Sequence, residues 1–308
     1  MVQQSIEHKL RVAVIVSPDP SDIYFANCLA LTLDVVGIVV ENQQLPKDTT
    51  PIYLKALRSL SQPQEVPTKI CSFIAEQYRK QVHSCSSSKY SADFGELGSD
   101  LRSDLKCPAI YTEGVSRVSD ERYVSWLRSV TPDVLAVCGA SILKESILSV
   151  PAKASLNLHG GLSQRYRGLF TSDWALYNEE PEYVGATVHY ISPGIDDGEI
   201  VFQGRPELSI DDHPNSVYEK VVKLGVRMMI SAIEQLEVGC LKSSPLPHRG
   251  KLYIARDYTP AAKRRVWQSV KNGSIRTYLA DQADRDRNVL PYLINRFDAD
   301  VTLSGTGT

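Results

Sequence analysis

Asn157 and His159 stand two residues apart at the end of an apolar run, and Asp196 follows the histidine by 37 positions. On a β-strand, residues i and i+2 point to the same side. An amide donor and a titratable imidazole would therefore meet at one spot. A carboxylate from the segment Pro193-Gly-Ile-Asp-Asp-Gly198 would orient or charge the imidazole. A donor for a developing oxyanion, a proton carrier and an acid to tune it are the parts that acyl transfer requires. Against this stand blander readings: an amide at a strand end, a loop histidine and a plain Asp-Gly turn, with Asp197 as the competing carboxylate. His189 sits mid-strand in Thr187-Val-His-Tyr190 and reads as structural, and His8, His83, His213 and His248 read as surface groups. No histidine and carboxylate set has zinc spacing, so no metal is expected.

These residues need a rigid frame, and the hydrophobic pattern supplies one. Residues 11–17 (Arg-Val-Ala-Val-Ile-Val-Ser) form a short β-branched run that predicts a buried strand. Pro18-Asp-Pro-Ser-Asp22 offers a turn with helix caps, residues 23–33 a helix and residues 34–41 a second buried strand. Strand, helix and strand within about 30 residues make a βαβ unit and hence a parallel sheet. Further strands are expected near 109–111, 133–139 and 154–158, with a late pair at 186–191 and 200–204. Helices are expected at 120–129, at 171–178 with Thr171 or Ser172 as cap, and at 215–238. Residues 51–106 read as a helical insertion, with helical stretches at 53–61 and 68–81. The fold class is α/β: a Rossmann-like, mostly parallel sheet flanked by helices. Residues 1–242 form its main domain. Residues 243–308 form a short, mainly helical extension, with a strand near 251–255 and a helix from Thr259 whose first position is Pro260.

Composition bounds the function. The chain has 308 residues, 43% hydrophobic and 23% charged, with a formal net charge of -2. A chain whose main task is gripping nucleic acid normally carries a strong basic excess, so a nucleic-acid partner is disfavoured. Six cysteines (28, 71, 85, 107, 138 and 240) include no C-x-x-C pair. They fit a reducing cytoplasm. No signal peptide is read at the N-terminus, and no apolar run is long enough for a membrane span.

The ordered set Asn157-x-His159, Tyr166-Arg167-Gly168, Trp174-Ala-Leu176, Gly185-x-Thr-x-His189 and Ile195-Asp196-x-Gly198 resembles the folate-dependent formyltransferases. That family includes methionyl-tRNA formyltransferase, glycinamide ribonucleotide transformylase and the sugar N-formyltransferases. The resemblance is close over residues 132–241 and loose over 11–41. It implies N10-formyltetrahydrofolate as formyl donor. Asn157 would bind the oxyanion, His159 would stabilise it and move the proton, and Asp196, chosen over Asp197 by the family pattern, would orient His159. Ala140, Ile142, Leu143, Asp197 and Gly198 are carried over as cofactor contacts, the pterin being held largely by backbone groups. Tyr166 and Arg167 are carried over toward the acceptor, with Arg167 alternatively organising its own loop.

The same comparison narrows the acceptor. Ser17-Pro-Asp-Pro-Ser-Asp22 lacks the glycine of a phosphate loop and contains two prolines without N–H groups, which disfavours the purine enzyme. The tRNA enzyme resembles a chain with a C-terminal β-barrel of about 100 residues. Residues 243–308 are fewer and read as helical, and Gly161-Leu-Ser-Gln164 replaces the tRNA enzyme's usual Ser-Leu-Leu-Pro. A small primary amine remains, best matched by a nucleotide-linked amino sugar. Tyr24, Tyr53 and Tyr166 are the aromatic groups available to stack on it. A methionyl-tRNA formyltransferase-like enzyme, a deformylase and a non-catalytic folate-binding or regulatory protein stay open. An extension of this kind often serves dimerisation, so a homodimer also stays open.

Overall fold

The computed structural model describes residues 9–42 and 92–298. Its elements run β1 (Arg11–Val16), α1 (Pro20–Thr32), β2 (Asp34–Val40), β3 (Ala109–Tyr111), α2 (Glu121–Ser129), β4 (Val134–Cys138), α3 (Glu145–Leu148) and β5 (Ala154–His159). They continue with β6 (Tyr166–Gly168), α4 (Thr171–Tyr177), β7 (Ala186–Tyr190), β8 (Ile200–Gly204), α5 (Pro214–Glu237), β9 (Lys251–Tyr253), α6 (Pro260–Lys271), α7 (Ser274–Ala280) and α8 (Gln282–Val289). Seven strands make one sheet in the order β3-β2-β1-β4-β5-β7-β8. The first five are parallel, and β7 joins β5, and β8 joins β7, by antiparallel pairing. This is the expected Rossmann-like α/β sheet, and its strand order reverses between β1 and β4.

Successive side chains of a strand point to opposite faces, and the sequence uses that alternation to build two cores. Val12, Val14 and Val16 join Ile38, Val40, Val134, Ala136, Leu156 and Leu158 on one face. There α1, α4 and α5 cover them through Phe25, Leu29, Trp174, Leu224 and Met228. Ala13 and Ile15 join Val39, Leu135 and Val137 on the other face, under Val124 and Leu127 of α2 and Ile147 of α3. Strands buried on both sides explain the continuous apolar runs seen in the sequence.

The second face changes character beyond β4. Asn157 pairs with His189 and His159 with Thr187, so all four point to the face opposite Leu156, Leu158 and Val188. Gln203 of β8 lies opposite Thr187 and extends this polar strip. Loops and the C-terminal segment contact the strip. The Gln164 and Gln203 amides pair reciprocally at 2.7 and 2.5 Å, Gln164 Nε2 donates to the Tyr292 carbonyl at 2.7 Å, and Ile294 N–H donates to Gln203 Oε1 at 2.9 Å. Gln164 belongs to the loop that departs from the tRNA-enzyme pattern, and here it anchors the C-terminal segment.

That segment shares the main core. Strand β9 pairs in parallel with β6, Tyr253 stacks on Trp174 with ring centroids 4.4 Å apart, and Val266, Ile275, Tyr278 and Phe297 belong to the same cluster as β1. Thr259 caps α6 by accepting from Ala262 N–H, with Pro260 in the first turn, as the sequence predicts. The caps expected for α4 differ. Phe170, with φ +57°, occupies the cap position, while the Thr171 and Ser172 hydroxyls donate to the Gly160 carbonyl at 2.6 and 3.3 Å. They tie the helix to the chain leaving β5. The helical insertion expected at 51–106 falls mainly outside the described residues, as does Tyr53. The described remainder holds one short helical turn, Gly95–Gly98, tied to α1 by the Asn27 amide, which donates to the Leu97 and Asp100 carbonyls.

Asp173 of α4 shows a cost of this packing. Burial raises its carboxyl to about 6, against the opposing pull of the Tyr258 hydroxyl and Lys263. A carboxyl raised above its unfolded value of 3.8 binds its proton more tightly in the folded state, so stability falls as pH rises from about 4 to 6. Asp173→Asn is expected to raise stability at pH 7–8 by about 1–3 kcal/mol and to lose this advantage near pH 4. Thermal melts at both pH values check it; equal melting temperatures for both proteins across the range would contradict it.

Candidate active site

The carboxyl ends of β5 and β7 bring the three expected residues into one cluster and add a fourth. His159 Nδ1 lies 3.3 Å from Asp196 Oδ2, and Gly168 N–H donates to the same oxygen at 2.8 Å. His189 Nε2 lies 3.2 Å from Asn157 Nδ2 and 3.6 Å from Asp196 Oδ1. His159 and His189 are both buried. Asp196 sits at φ +49°, a left-handed conformation that Asp tolerates better than most residues. The Gly168 N–H and the His159 imidazole hold it there.

Hydrogen-bond logic assigns roles within the cluster. The Nε2 atom of His159 faces the Tyr166 carbonyl at 3.0 Å, while Nδ1 faces a carboxylate. Both partners accept only. A neutral imidazole has one N–H and serves one of them at a time; a protonated ring serves both. The site therefore has a place for an added proton on His159. His189 differs: its Nδ1 faces the Tyr190 carbonyl at 2.8 Å, so Nδ1 carries the hydrogen and Nε2 can accept from the Asn157 amide. His189 thereby fixes which way the Asn157 amide points, and Asn157 keeps a second N–H for another acceptor. Burial pushes the Asp196 carboxyl up, but the neighbouring His159 imidazole and the Gly168 N–H outweigh it and hold the group well below the usual carboxylate range.

The other expected residues divide. Arg167 is buried and donates from Nε and Nη2 to the Ile195 carbonyl at 2.8 and 2.6 Å. It organises the loop that delivers Asp196. The Tyr166 ring is buried against Tyr253, and its hydroxyl donates to Glu180. This corrects the expected acceptor contact: Tyr166 contributes its carbonyl to His159 and its ring to the core. The Asp197 carboxylate is committed to Ser192 Oγ at 2.5 Å, Arg249 at 2.9 Å and Arg167 at 3.7 Å. Gly198 is buried where a Cβ would lie 1.7 Å from the Tyr190 carbonyl. Ala140 and Leu143 pack partly on the second core, while Ile142 is 74% exposed. Their loop begins just past Val137, the partner of Asn157. Tyr24, another expected stacking group, packs on Phe94.

From sequence alone, His189 reads as a structural strand residue. Its one local signal is the i, i+2 pair of polar residues Thr187 and His189 in an otherwise apolar strand. The register that sets His189 against Asn157 is not local. Among the described residues, no group of three or more His, Cys, Asp and Glu could hold a metal ion.

The family profile described as Formyl transferase matches residues 71–233, more than half of the chain. The chain belongs to the formyl transferase family. It is 30% identical to the methionyl-tRNA formyltransferase of Acetivibrio thermocellus over 139 residues, which are 45% of this chain and 44% of that one. It thus spans under half the length of such relatives. Among solved structures, a sugar N-formyltransferase from a Shewanella species superposes with a TM-score of 0.48 at 17% identity, covering 82% of this chain and 79% of the other. The phosphoribosylglycinamide formyltransferase of Anaplasma phagocytophilum gives 0.48 at 16% identity, covering 80% and 100%. No helix among the described residues is long and apolar enough to cross a membrane.

The depressed Asp196 carboxyl has a consequence for this formyl transferase family member. Such a group stabilises the fold above its unfolded value of 3.8, and that contribution is lost as pH falls below it. Asp196→Asn is expected to lower the melting temperature at pH 7 and to flatten the loss of stability between pH 5 and 3. Parallel melts of both proteins over that range test it, and identical pH profiles would show that the carboxylate is not held in this way.

Proposed function

We propose that this chain transfers the formyl group of N10-formyltetrahydrofolate to a primary amine, the amino group of a nucleotide-linked amino sugar. The observation that carries the reading is the Asn157 amide set beside the buried His159–Asp196 pair, next to the loop that presents Ile142. The folate supplies a formyl carbon attached to N10. The second amide N–H of Asn157 donates to the oxyanion formed when the amine attacks that carbon. The proton shed by the attacking nitrogen passes to the His159–Asp196 pair, where the protonated ring has an acceptor at each nitrogen. Return of that proton to N10 as the C–N10 bond breaks leaves formamide and tetrahydrofolate and restores the pair. Exposed Ile142, with Ala140 and Leu143 behind it, is an apolar lip fit for a flat ring. The Gly198 and Asp197 backbone completes the folate site.

Two features bear on the acceptor. The turn after β1 is closed by its own side chains: buried Ser17 donates to Asp22 Oδ2 at 2.6 Å and accepts from Asp19 N–H at 3.1 Å. That leaves no backbone cradle for a free phosphate. The C-terminal segment shares the main core and contacts the site loops. Methionyl-tRNA is the second acceptor reading, favoured by relatives that match just under half of this chain. A reducing cytoplasm, where folate donors are found, is the proposed place of action.

Purified protein is to be incubated with N10-formyltetrahydrofolate and a pool of nucleotide-linked amino sugars, with products read by mass spectrometry. A formyl mass gain on one sugar is the expected result, and gain on methionyl-tRNA alone would replace the acceptor. His159→Ala should abolish turnover while calorimetric folate binding persists, and Asn157→Ala should lower kcat by about 10²–10³. Near-normal turnover in His159→Ala would sink the catalytic assignment.

A further inference from the structure

Glu41 follows β2 and is 1% exposed. Its Oε2 accepts from Ser141 N–H at 2.6 Å, and its Oε1 accepts from Ser141 Oγ at 2.8 Å and Val118 N–H at 3.4 Å. Its own N–H donates to the Val16 carbonyl. Burying a carboxylate is costly unless donors converge on it, and here two of the three come from one residue of another loop. Since β1 lies between β2 and β4, the Glu41 side chain reaches past the end of β1 to grip the segment that leaves β4. Ser141 sits between Ala140, packed on the core, and exposed Ile142.

A second buried carboxyl holds the same segment from the other side. Asp22 of α1 accepts from the Cys138 thiol at 3.5 Å. Its carboxylate also occupies the space of a Gly139 Cβ, which would lie 1.8 Å from Oδ2, and Gly139 itself has φ +69°. Residues 138, 139 and 141 are thus fixed at the point where the strand order reverses, the crevice where open α/β sheets take their ligands. The surface they carry is apolar, and backbone held from below is how a loop becomes a pre-formed wall.

We propose that Glu41 is a positioning residue for the folate site: by clamping Ser141 it presents Ile142, Ala140 and the adjoining backbone to the pterin ring. The inference rests on the formyl-transfer reading above and deepens it. Three donors meet this carboxylate, so a glutamine would turn its NH₂ toward one of them, and removal of the Ser141 hydroxyl would subtract a single bond.

Tetrahydrofolate binding by calorimetry, steady-state kinetics and thermal melts should be compared for the unaltered protein, Glu41→Ala, Glu41→Gln, Ser141→Ala and Ile142→Ala. Glu41→Ala is expected to weaken folate binding by about tenfold or more, with a matching rise in folate KM, little change in amine KM and a smaller change in kcat at saturating folate. Glu41→Gln, Ser141→Ala and Ile142→Ala should show the same split more weakly. If Glu41→Ala does not fold, Glu41→Gln and Ser141→Ala decide. Unaltered folate affinity in those two, with the parent protein binding normally, would overturn this role and leave the formyl-transfer reading intact. Absence of tetrahydrofolate binding by the parent protein would overturn both.

Discussion

One largely enclosed carboxylate organises the site. Asp196 lies in a left-handed turn, between two imidazoles and one backbone N–H. Charge held in a low-dielectric place is expensive, so each neighbour is a requirement as well as a contact. Gly168 must come from β6, His159 from β5 and His189 from β7. The Asp196 turn must be steered by Arg167 and its neighbour Asp197 locked by Arg249. Much of the C-terminal half of the chain therefore serves to bring one oxygen pair to one ring.

The sheet makes this possible by a change of register partners. From β2 through β1 to β4 the strands are parallel and apolar on both faces. The antiparallel addition of β7 and β8 then sets His189 against Asn157 and Gln203 against Thr187, which turns one face polar. A helix cannot cover such a strip without stranding its hydrogen bonds. Loops and the C-terminal segment touch it instead, with Gln164 and Gln203 joined to Tyr292 and Ile294. The segment that reads as an extension shares the hydrophobic core of the sheet.

The sequence reveals what is local. The runs at 11–17 and 133–139 announce buried strands, Thr259-Pro260 announces a helix start, and Asn157, His159 and Asp196 stand out through their spacing and motif. What escapes is set by partners distant along the chain. His189 gains its role only from antiparallel register. The Asp197 carboxylate is claimed by Arg249, and the Tyr166 ring by Tyr253. Thr171 and Ser172 have the chemistry of helix caps, but the Gly160 carbonyl lies closer to hand. Glu41 looks like the polar end of a strand until the loop after β4 folds over it.

The most direct measurement is the nitrogen-resolved imidazole NMR spectrum of the protein and of Asp196→Asn at neutral pH. The Asp196-centred account predicts a protected His159 Nδ1–H signal, bonded to the carboxylate, that disappears in Asp196→Asn. The His189 Nδ1–H, bonded to the Tyr190 carbonyl, should persist in both. A His159 Nδ1–H signal that is unchanged by the substitution, or absent from the parent protein, would show that Asp196 does not hold the proton carrier and would remove the foundation of the proposed chemistry.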